Sequence, residues 1–514
     1  MRPCDYLDRG AMLAGRGSAC LTTDHQSLTY GEVTRATHGV ARELAGTGAT
    51  PTAKVGVYSP NHPSALIAIL GIARAGCTYV AVNTANAVAD NAAVLESTGC
   101  EILYYHSRYE AQARQLSDAV STLNHIITID THDTAERWSG DAIGVGQTTD
   151  SLPHAPEDLA YLLPTGGTTG PAKSVMLTNA NLEALVANQL TALPGCDHAV
   201  YLVSAPITHG AGIMTLGFLA TGATVHMLDG VDPEAVLNAI EGRKVTHLFF
   251  PPTAIYKLLA HQKVREYDYS SLRAFVYAAA PMATEKLREA IDVFGPVMAE
   301  VYGQSEHPFA TILTAPEHSD ALRQDPERLA SCGRPTAFTS LAILDDNGSP
   351  CACGERGEIA LRGQGVSPGY FNDPDSTAAV RRNGWHLTGD VGVCDEEGYV
   401  YVVDRKKDMI ITGGFNVYPT EVEQVIHQLD GVVDVAVVGV PDPKWGEAVK
   451  AVIEVRPGSR VAEEAVIGAC KERLGSVKAP KSVDVWEALP RSGPGKVLKR
   501  EIRDHYWEGH DHAV

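Results

Sequence analysis

Short apolar segments with the composition of β-strands alternate with helical patterns through the first three-quarters of the 514-residue chain. Residues 54–58 and 77–82 have the composition of buried strands, and residues 64–75 between them form an apolar helical pattern. The same order recurs between residues 223 and 250. This alternation indicates parallel sheets flanked by helices. Such sheets bind ligands where loops gather at the carboxyl ends of the strands.

The character of the sequence changes near Ala330. Residues 357–362, 385–387 and 400–403 indicate short strands separated by turns, which is typical of a small antiparallel unit. A compact segment of mixed helices and strands follows the charged run at residues 404–408. We therefore predict a large domain over residues 1–403, a hinge at 404–408 and a small domain over 409–514. An ordinary charged turn is the alternative interpretation of the run itself.

A loop rich in glycine and threonine follows a predicted strand. It runs Thr-Gly-Gly-Thr-Thr-Gly-Pro-Ala-Lys and ends at Lys173. Glycines let backbone N–H groups approach phosphate oxygens without a Cβ clash, and the hydroxyls and the ammonium add donors. The Walker loop has its lysine directly after the last glycine, whereas Pro171 and Ala172 intervene here. The loop predicts a site for nucleotide phosphates, and a plain surface loop is the alternative.

The charge balance argues against a polyanionic partner. The chain has 42 Lys+Arg against 62 Asp+Glu, for a formal net charge of −20. Nucleic acids and anionic membranes are bound by clustered cations. The N-terminus lacks the apolar core of a signal peptide, and the apolar segment at residues 65–75 is too short to span a bilayer. We expect a cytoplasmic protein with reduced cysteines, no nucleic-acid partner and no membrane span.

Further motifs follow the loop in a fixed order. They are Tyr-Gly-Gln-Ser-Glu at residues 302–306, Trp-His-Leu-Thr-Gly-Asp at 385–390, the segment 404–423, and Pro-Arg-Ser-Gly-Pro-Gly-Lys at 490–496. Together they resemble the acyl-adenylate-forming superfamily of acyl-CoA synthetases, peptide-synthetase adenylation domains and beetle luciferases, over essentially the whole chain. A catalytically silent binding protein is the alternative, but the charged groups of these motifs are all retained.

The resemblance implies an α/β fold and a two-step reaction. The large N-terminal domain would contain two doubly wound sheets plus a small β-barrel-like subdomain. A small, mobile α+β C-terminal domain would follow it. ATP and a carboxylate would first give an acyl-adenylate and pyrophosphate, and a thiol would then displace AMP to give a thioester.

The resemblance also implies catalytic roles for four side chains. Glu306 would bind Mg²⁺, and Lys173 would contact the phosphates. Lys496 would bridge the α-phosphate and the substrate carboxylate during adenylation, and His209 would border that carboxylate. The implied phosphate loop comprises Thr165, Gly166, Gly167, Thr168, Thr169 and Gly170 together with Lys173.

Nucleotide contacts follow from the same resemblance. Asp390 would accept hydrogen bonds from both ribose hydroxyls, with Arg405 as a second ribose contact. The Tyr302 ring would stack on adenine, and Glu300 would accept from the adenine amino group. Lys407 would be the hinge residue. The other implied contacts are Ala279 and Ala280 in the turn facing adenine, Gly303 and Ser305 beside Tyr302, and Gly413 and Gly414, which domain rotation would bring up to line a thiol tunnel.

The acid pocket is expected beside the adenylate, with walls at residues 207–212, 277–280 and 301–309. Residues 207–212 contain no acidic side chain to pair with an ammonium group, which argues against an amino-acid substrate. Methyl groups at Ala278 and Ala279 would narrow the channel and favour an aromatic or short-to-medium acid.

The expected cofactors are ATP, Mg²⁺ and coenzyme A, and the alternative thiol belongs to a carrier protein. His307 would either border the pocket or pack inside the protein, and a homodimer is left open.

Overall fold

The computed structural model describes residues 1–130, 138, 154–165, 172–491 and 497–508. The predicted contacts Gly166, Gly167, Thr168, Thr169, Gly170 and Lys496 lie outside these residues. The described α-helices are Pro3–Ala14, Tyr30–Gly46, Pro63–Arg74, Val88–Thr98, Glu110–Ala119, Asn179–Ala192, Gly210–Ala220, Pro233–Gly242, Pro252–Leu259, Thr284–Phe294, Ala315–Gln324, Pro374–Ala379, Pro419–Ile426, Glu463–Lys478 and Lys499–Trp507. Within the described ranges, every helix is too short or too polar to cross a bilayer.

The strands are numbered in chain order. They are β1 (Ala19–Thr22), β2 (Ser27–Thr29), β3 (Lys54–Tyr58), β4 (Thr78–Ala81), β5 (Ile102–Tyr105), β6 (His125–Thr128), β7 (Leu159–Pro164), β8 (Ser174–Thr178), β9 (Val200–Val203), β10 (Thr224–Met227), β11 (His247–Phe250), β12 (Ala274–Ala278), β13 (Met298–Gln304), β14 (His307–Leu313), β15 (Arg334–Pro335), β16 (Ser340–Leu344), β17 (Gly357–Arg362), β18 (Arg381–Arg382), β19 (Trp385–Cys394), β20 (Val400–Arg405), β21 (Ile410–Thr412), β22 (Phe415–Val417), β23 (Val432–Asp442), β24 (Gly446–Val455) and β25 (Ser482–Trp486).

Two large sheets form the N-terminal region. One has nine strands in the order β15-β14-β13-β12-β11-β9-β10-β1-β2, and the other has six in the order β6-β5-β3-β4-β7-β8. The neighbours β11, β12 and β13 are parallel, as are β3, β4 and β7. The predicted α/β class with two wound sheets is therefore confirmed.

The helix Pro63–Arg74 packs in the core that joins the two sheets. All of its residues are buried, and its apolar side chains belong to one cluster with residues of both sheets. Proline at its first position and the His62 side chain, which accepts from Ser64 N at 3.2 Å, define its start. A Cβ at Gly71 would lie 2.4 Å from Val40 Cβ, so this glycine permits close packing of two helices. The apolar segment is a buried helix, as predicted.

Two smaller sheets follow along the chain. The first is antiparallel and contains β16 to β20, and the second contains β21 to β25 with the helices of the small domain. Asp404 and Arg405, at the start of the predicted hinge, still pair with β19, and residues 406–408 then form a short 3₁₀ turn. The two sheets are also linked beyond this turn, since Thr420 N donates to Asp404 Oδ2 at 2.7 Å. The domain limits themselves stay a prediction.

Candidate active site

Glu306 lies in the turn between β13 and β14, two neighbouring strands near one edge of the nine-stranded sheet. The two strands approach closely there, because a Cβ at Gly303 would lie 2.6 Å from the His307 carbonyl oxygen. Glycine at this position therefore permits the tight hairpin. Ser305 is half-buried in the turn, and Glu306 is only 8% exposed.

Tyr370 brings the Glu306 carboxylate and the Lys173 ammonium together. Its hydroxyl donates to Glu306 Oε1 at 2.6 Å, and Lys173 Nζ lies 5.1 Å from the centroid of its ring. Burial and the nearby carboxylate raise the pKa of Tyr370, which keeps the hydroxyl a donor. A cation placed over an aromatic face in this way is attracted to the ring. The lysine that we predict to contact phosphate and the candidate metal ligand thus lie against one side chain.

Backbone pairing explains why Tyr370 lies here. Met176 N donates to the Gly369 carbonyl oxygen at 3.0 Å, and Phe371 N donates to the Ser174 carbonyl oxygen at 2.8 Å. The segment therefore runs along β8, which begins directly after Lys173. On the other side of the lysine, Thr165 N donates to its carbonyl oxygen at 2.8 Å, so the two ends of the glycine-rich loop meet.

Asp390 is held by three side chains and is 3% exposed. Its Oδ2 accepts from the Tyr302 hydroxyl at 2.7 Å and from Gln304 Nε2 at 2.8 Å. Its Oδ1 lies 2.6 Å from Arg405 Nε. A carboxylate has about four acceptor positions, so capacity remains for a ligand hydroxyl. Tyr302 and Gln304 belong to the strand that ends beside Glu306, which places the Asp390 cluster next to the Glu306 turn.

The turn after β12 contains two of the predicted adenine contacts. Ala279 is exposed with φ +75°, a left-handed conformation that is uncommon for a residue with a Cβ. Ala280 follows it and is half-buried. On the neighbouring strand, Glu300 Oε2 lies 3.0 Å from the Tyr277 hydroxyl, and burial raises the pKa of Glu300 to about 8. Glu300 lies on β13, which pairs in parallel with β12, the strand that leads into this turn.

His209 lies directly before the helix Gly210–Ala220 and borders a small cavity between the two large sheets. Its Nδ1 is 2.9 Å from Thr208 Oγ1, and burial lowers its pKa, which favours the neutral ring. Most of the other lining side chains are aliphatic or aromatic: Leu66, Ile69, Tyr79, Tyr161, Leu163, Ile207 and Ile213.

His307 packs inside the protein. It is fully buried, its Nε2 is 2.9 Å from Thr339 Oγ1, and burial lowers its pKa to about 4. The packing alternative for this histidine is therefore supported, and we assign it no place at the pocket mouth.

The predicted hinge and tunnel residues belong to a different part of the chain. Burial lowers the pKa of Lys407. Gly413, with φ +57°, and Gly414, with φ +82°, form the turn between β21 and β22. Gly413 N donates to the Trp445 carbonyl oxygen at 2.8 Å, and a Cβ at Gly413 would lie 2.5 Å from the Trp445 ring. These contacts lie within the small domain.

Glu306 is suited to magnesium as a single protein ligand. In the part of the chain that the structure describes, no group of three or more His, Cys, Asp or Glu side chains could hold a metal ion on its own. Mg²⁺ commonly binds one or two carboxylates and takes its other oxygens from water and substrate phosphates. The Glu306 carboxylate, which shares Tyr370 with Lys173, fits that arrangement.

The motifs did not reveal the roles of Tyr370, Gln304 and Tyr277. Gln304 stood in a recognised motif, but its bond to Asp390 depends on a strand far away in sequence. Tyr370 follows Pro368 and Gly369 in an irregular segment, where an aromatic side chain gives little local signal of its contacts.

Two wound sheets, with Lys173 and Glu306 against one tyrosine and Asp390 close by, accord with the class of adenylate-forming enzymes that the motifs indicate. The model of the AMP-binding enzyme family matches residues 8–371, and that of the AMP-binding enzyme C-terminal domain matches residues 421–496. The chain therefore belongs to the AMP-binding enzyme family, the superfamily of AMP-forming acid–CoA ligases.

Similar proteins cover nearly the whole chain. The medium/long-chain-fatty-acid–CoA ligase FadD8 of Mycobacterium tuberculosis is 35% identical over 99% of this chain and 91% of its own length. Feruloyl-CoA synthase of an Amycolatopsis species is 34% identical over 93% of this chain and 94% of its own. The solved structure of the amide bond synthetase McbA from Marinactinospora thermotolerans has a TM-score of 0.90 at 30% identity, covering 98% and 99% of the two chains.

Proposed function

We propose that this protein is an ATP-dependent, AMP-forming ligase that activates a carboxylic acid as its acyl-adenylate and transfers the acyl group to coenzyme A. The observation that carries the proposal is the contact of both Lys173 and Glu306 with Tyr370, beside the cluster around Asp390.

The adenylation step needs stabilised phosphate charge. A carboxylate oxygen attacks the α-phosphorus, and charge builds on the α-phosphate and the departing pyrophosphate. Mg²⁺ would supply charge neutralisation when bound, with Glu306 as its protein ligand. Lys173 would bind the phosphates, and Lys496 would bridge the α-phosphate and the attacking carboxylate. The glycine and threonine residues of the loop would donate to the phosphate oxygens.

The nucleoside would be held by the Asp390 cluster. Asp390 would accept from the ribose hydroxyls while Arg405 and Gln304 fix its carboxylate. The Tyr302 ring would pack on adenine, and its hydroxyl bond to Asp390 couples the base contact to the sugar contact. Glu300 and the backbone of Ala279 and Ala280 would face the adenine edge.

The acid would enter near His209. The cavity lining is mostly apolar, and no acidic residue is among the residues that line it. The exposed Ala279 methyl would narrow the route from the nucleotide side. The lack of an acidic lining residue argues against an amino acid, and a narrowed route would favour an aromatic or short-to-medium acid over a long fatty chain.

Coenzyme A is the proposed acyl acceptor because both similar ligases are named for CoA products. The turn at Gly413 and Gly414 would line the thiol tunnel after rotation of the small domain, with Lys407 as the hinge. A carrier-protein thiol is the alternative acceptor. Cytoplasmic location accords with ten unpaired cysteine thiols, since the cytosol keeps thiols reduced. The homodimer is a proposal that light scattering of the purified chain tests.

A purified-protein assay tests the function. The full chain would be incubated with ATP, Mg²⁺ and a panel of aromatic and aliphatic acids, and pyrophosphate, AMP and thioester would be measured with and without CoA. Acid-dependent pyrophosphate release and CoA-dependent thioester support the proposal. Pyrophosphate release followed by transfer only to a carrier protein or an amine would overturn the CoA assignment. No acid-dependent release with any acid would overturn adenylation.

The variant Lys496→Ala separates the two half-reactions. Adenylation should fall by orders of magnitude, while thioester formation from supplied acyl-adenylate should persist. An equal fall in both steps would contradict a lysine that acts only during adenylation.

A further inference from the structure

A chain of buried hydrogen bonds leads from a helix to Glu300. His318 Nδ1 lies 2.9 Å from the Thr314 carbonyl oxygen, and His318 Nε2 lies 2.9 Å from the Tyr277 hydroxyl. The same hydroxyl lies 3.0 Å from Glu300 Oε2. Tyr277 is 0% exposed and His318 is 1% exposed, so water cannot easily substitute for any of these partners.

The direction of each bond follows from the groups that can only accept. The Thr314 carbonyl oxygen accepts, so His318 Nδ1 must carry a proton. Burial lowers the pKa of His318 to about 4, so the ring is neutral near pH 7 and its Nε2 is an acceptor. The Tyr277 hydroxyl has one proton, and we assign it to the bond with His318 Nε2, because a neutral ring protonated at Nδ1 can only accept there. Towards Glu300, the Tyr277 oxygen can then only accept.

We propose that Tyr277 and His318 hold Glu300 as a neutral carboxylic acid whose single proton is donated to Tyr277. The other oxygen of Glu300 is then a carbonyl oxygen, which can accept a hydrogen bond but cannot donate one. Tyr277 and His318 are positioning residues, since they act on the ligand only through Glu300. This inference rests on the proposed function in placing adenine beside Glu300.

The surroundings of Glu300 favour the neutral form. Besides Tyr277, the titratable groups that interact with it are Tyr256 and Cys332. Burial raises the pKa of both, so neither provides a charge near pH 7. No cation among the described residues pairs with this carboxyl group, and burial raises the pKa of Glu300 to about 8.

The consequence is selection among purine nucleotides. Adenine presents an amino donor at C6, whereas guanine and hypoxanthine present an oxygen acceptor there. The carbonyl oxygen of Glu300 can accept a hydrogen bond from the amino group of adenine. It would repel the 6-oxo group, because both atoms are acceptors. If the proton of Glu300 were free to turn outward, it could donate to the 6-oxo group and selectivity would fall.

Infrared spectroscopy tests the proton on Glu300 without any substrate. The C=O stretch of a protonated carboxyl group is measured as the difference between the wild type and Glu300→Gln at pH 6.5 and pH 9.5. The band should be present at the lower pH and absent at the higher pH. Absence of the band at pH 6.5 would overturn the proposal. This result does not depend on enzymatic activity, so it stands apart from any failure of the proposed function.

The variant Tyr277→Phe tests selectivity. It keeps the ring but frees the Glu300 proton, so the ratio of kcat/KM for ATP over ITP in pyrophosphate exchange should fall about tenfold or more. Glu300→Gln should keep the wild-type ratio, because its amide nitrogen can donate to Tyr277 while its oxygen accepts from adenine. If Tyr277 had a purely structural role, Tyr277→Phe would lower kcat/KM for ATP and for ITP by the same factor. An unchanged ratio of the two values would therefore contradict the proposal.

His318→Leu provides a second test if Tyr277→Phe fails to fold. Without the Nε2 acceptor, the Tyr277 hydroxyl can donate to Glu300 and stabilise its anion. The infrared band of Glu300 should then disappear at a lower pH than in the wild type. An unshifted pH of disappearance would show that His318 does not set the protonation of Glu300.

Discussion

The Tyr370 hydroxyl donates a hydrogen bond of 2.6 Å to Oε1 of Glu306. The ring of the same tyrosine lies against Lys173, which comes from a distant part of the chain. One side chain thus orients both the proposed metal ligand and the proposed phosphate-binding cation. The arrangement depends on the pairing of residues 369–371 with β8, so backbone hydrogen bonds fix the position of Tyr370 relative to Lys173.

Tyr370→Phe should weaken magnesium-dependent adenylation. The variant keeps the ring beside Lys173 but removes the hydroxyl that fixes the Glu306 carboxylate. A hydrogen bond to a charged group contributes about 1.5–3 kcal/mol, so kcat/KM for MgATP should fall about 10- to 150-fold. Pyrophosphate exchange at a series of magnesium concentrations measures this fall in kcat/KM.

Tyr401→Phe is the matched control, since its hydroxyl donates to Asp395 Oδ2 at 3.1 Å outside the site. Equal effects of the two variants would contradict a specific role for Tyr370.

Ala279→Gly should broaden the range of acids that are activated. Glycine removes a methyl group from the exposed turn and relieves the left-handed strain at φ +75°. Relief of about 1–2 kcal/mol exceeds the flexibility cost of about 0.5–1 kcal/mol, so the variant should be as stable as the wild type or slightly more stable. Pyrophosphate release across acids of increasing width measures the effect.

Ala283→Gly removes a methyl at an unstrained φ of −61° and should leave the acid profile unchanged. A profile for Ala279→Gly that matches the wild type would show that Ala279 does not limit the pocket.

Gly413→Ala should slow thioester formation and leave adenylation intact. The new Cβ would lie 2.5 Å from the Trp445 ring in the turn that we place at the thiol tunnel. The measurement is CoA-dependent thioester formation from supplied acyl-adenylate, beside pyrophosphate exchange.

Gly458→Ala carries similar backbone strain, with φ +83°, but its Cβ would meet nothing within 4 Å. If both variants slow the thioester step equally, strain in the small domain and not the tunnel is responsible.

Stability should depend on pH through Glu300. Its pKa in the folded protein is about 8, above the ordinary value of about 4.3 in the unfolded chain. The folded state therefore binds more protons between these values, and stability should fall as pH rises through this window and level off above it. In urea unfolding at pH 5, 6.5 and 8, the free energy of unfolding of the wild type should fall relative to that of Glu300→Gln. The comparison is needed because buried histidines such as His247 and His307, whose pKa values burial lowers, titrate in both proteins alike.

Glu396→Gln, at an exposed position, should behave like the wild type. A wild-type slope equal to that of Glu300→Gln would mean that Glu300 is ionised when folded.

Local patterns in the sequence predicted the parts of the fold that local chemistry determines. The helix Pro63–Arg74 was predictable because an apolar run follows a proline start, and β12 and β13 were predictable as apolar runs before turns. The fold class followed from the alternation of strand and helix patterns together with the motif resemblance, and the expected roles of Asp390 and Glu306 came from the resemblance alone.

Contacts between distant segments were not predictable. Tyr370 meets Lys173 only because an irregular segment pairs with β8, and Tyr277 meets His318 across a strand and a helix. Neither pairing leaves a periodic pattern in the chain. The left-handed conformation of Ala279 was also hidden, since alanine gives no signal of positive φ.

Acid-dependent exchange of labelled pyrophosphate into ATP is the most direct test of the central claim, that Lys173, Glu306 and Asp390 act on one bound nucleotide. The account predicts acid-dependent exchange in the wild type. It predicts losses of about 100-fold or more in kcat/KM for Lys173→Ala, Glu306→Gln and Asp390→Asn, because each removes a charge from the site. Asp346→Asn, which breaks an exposed ion pair with Lys406, should retain wild-type exchange. Exchange that needs no acid, or that survives all three substitutions, would contradict the claim.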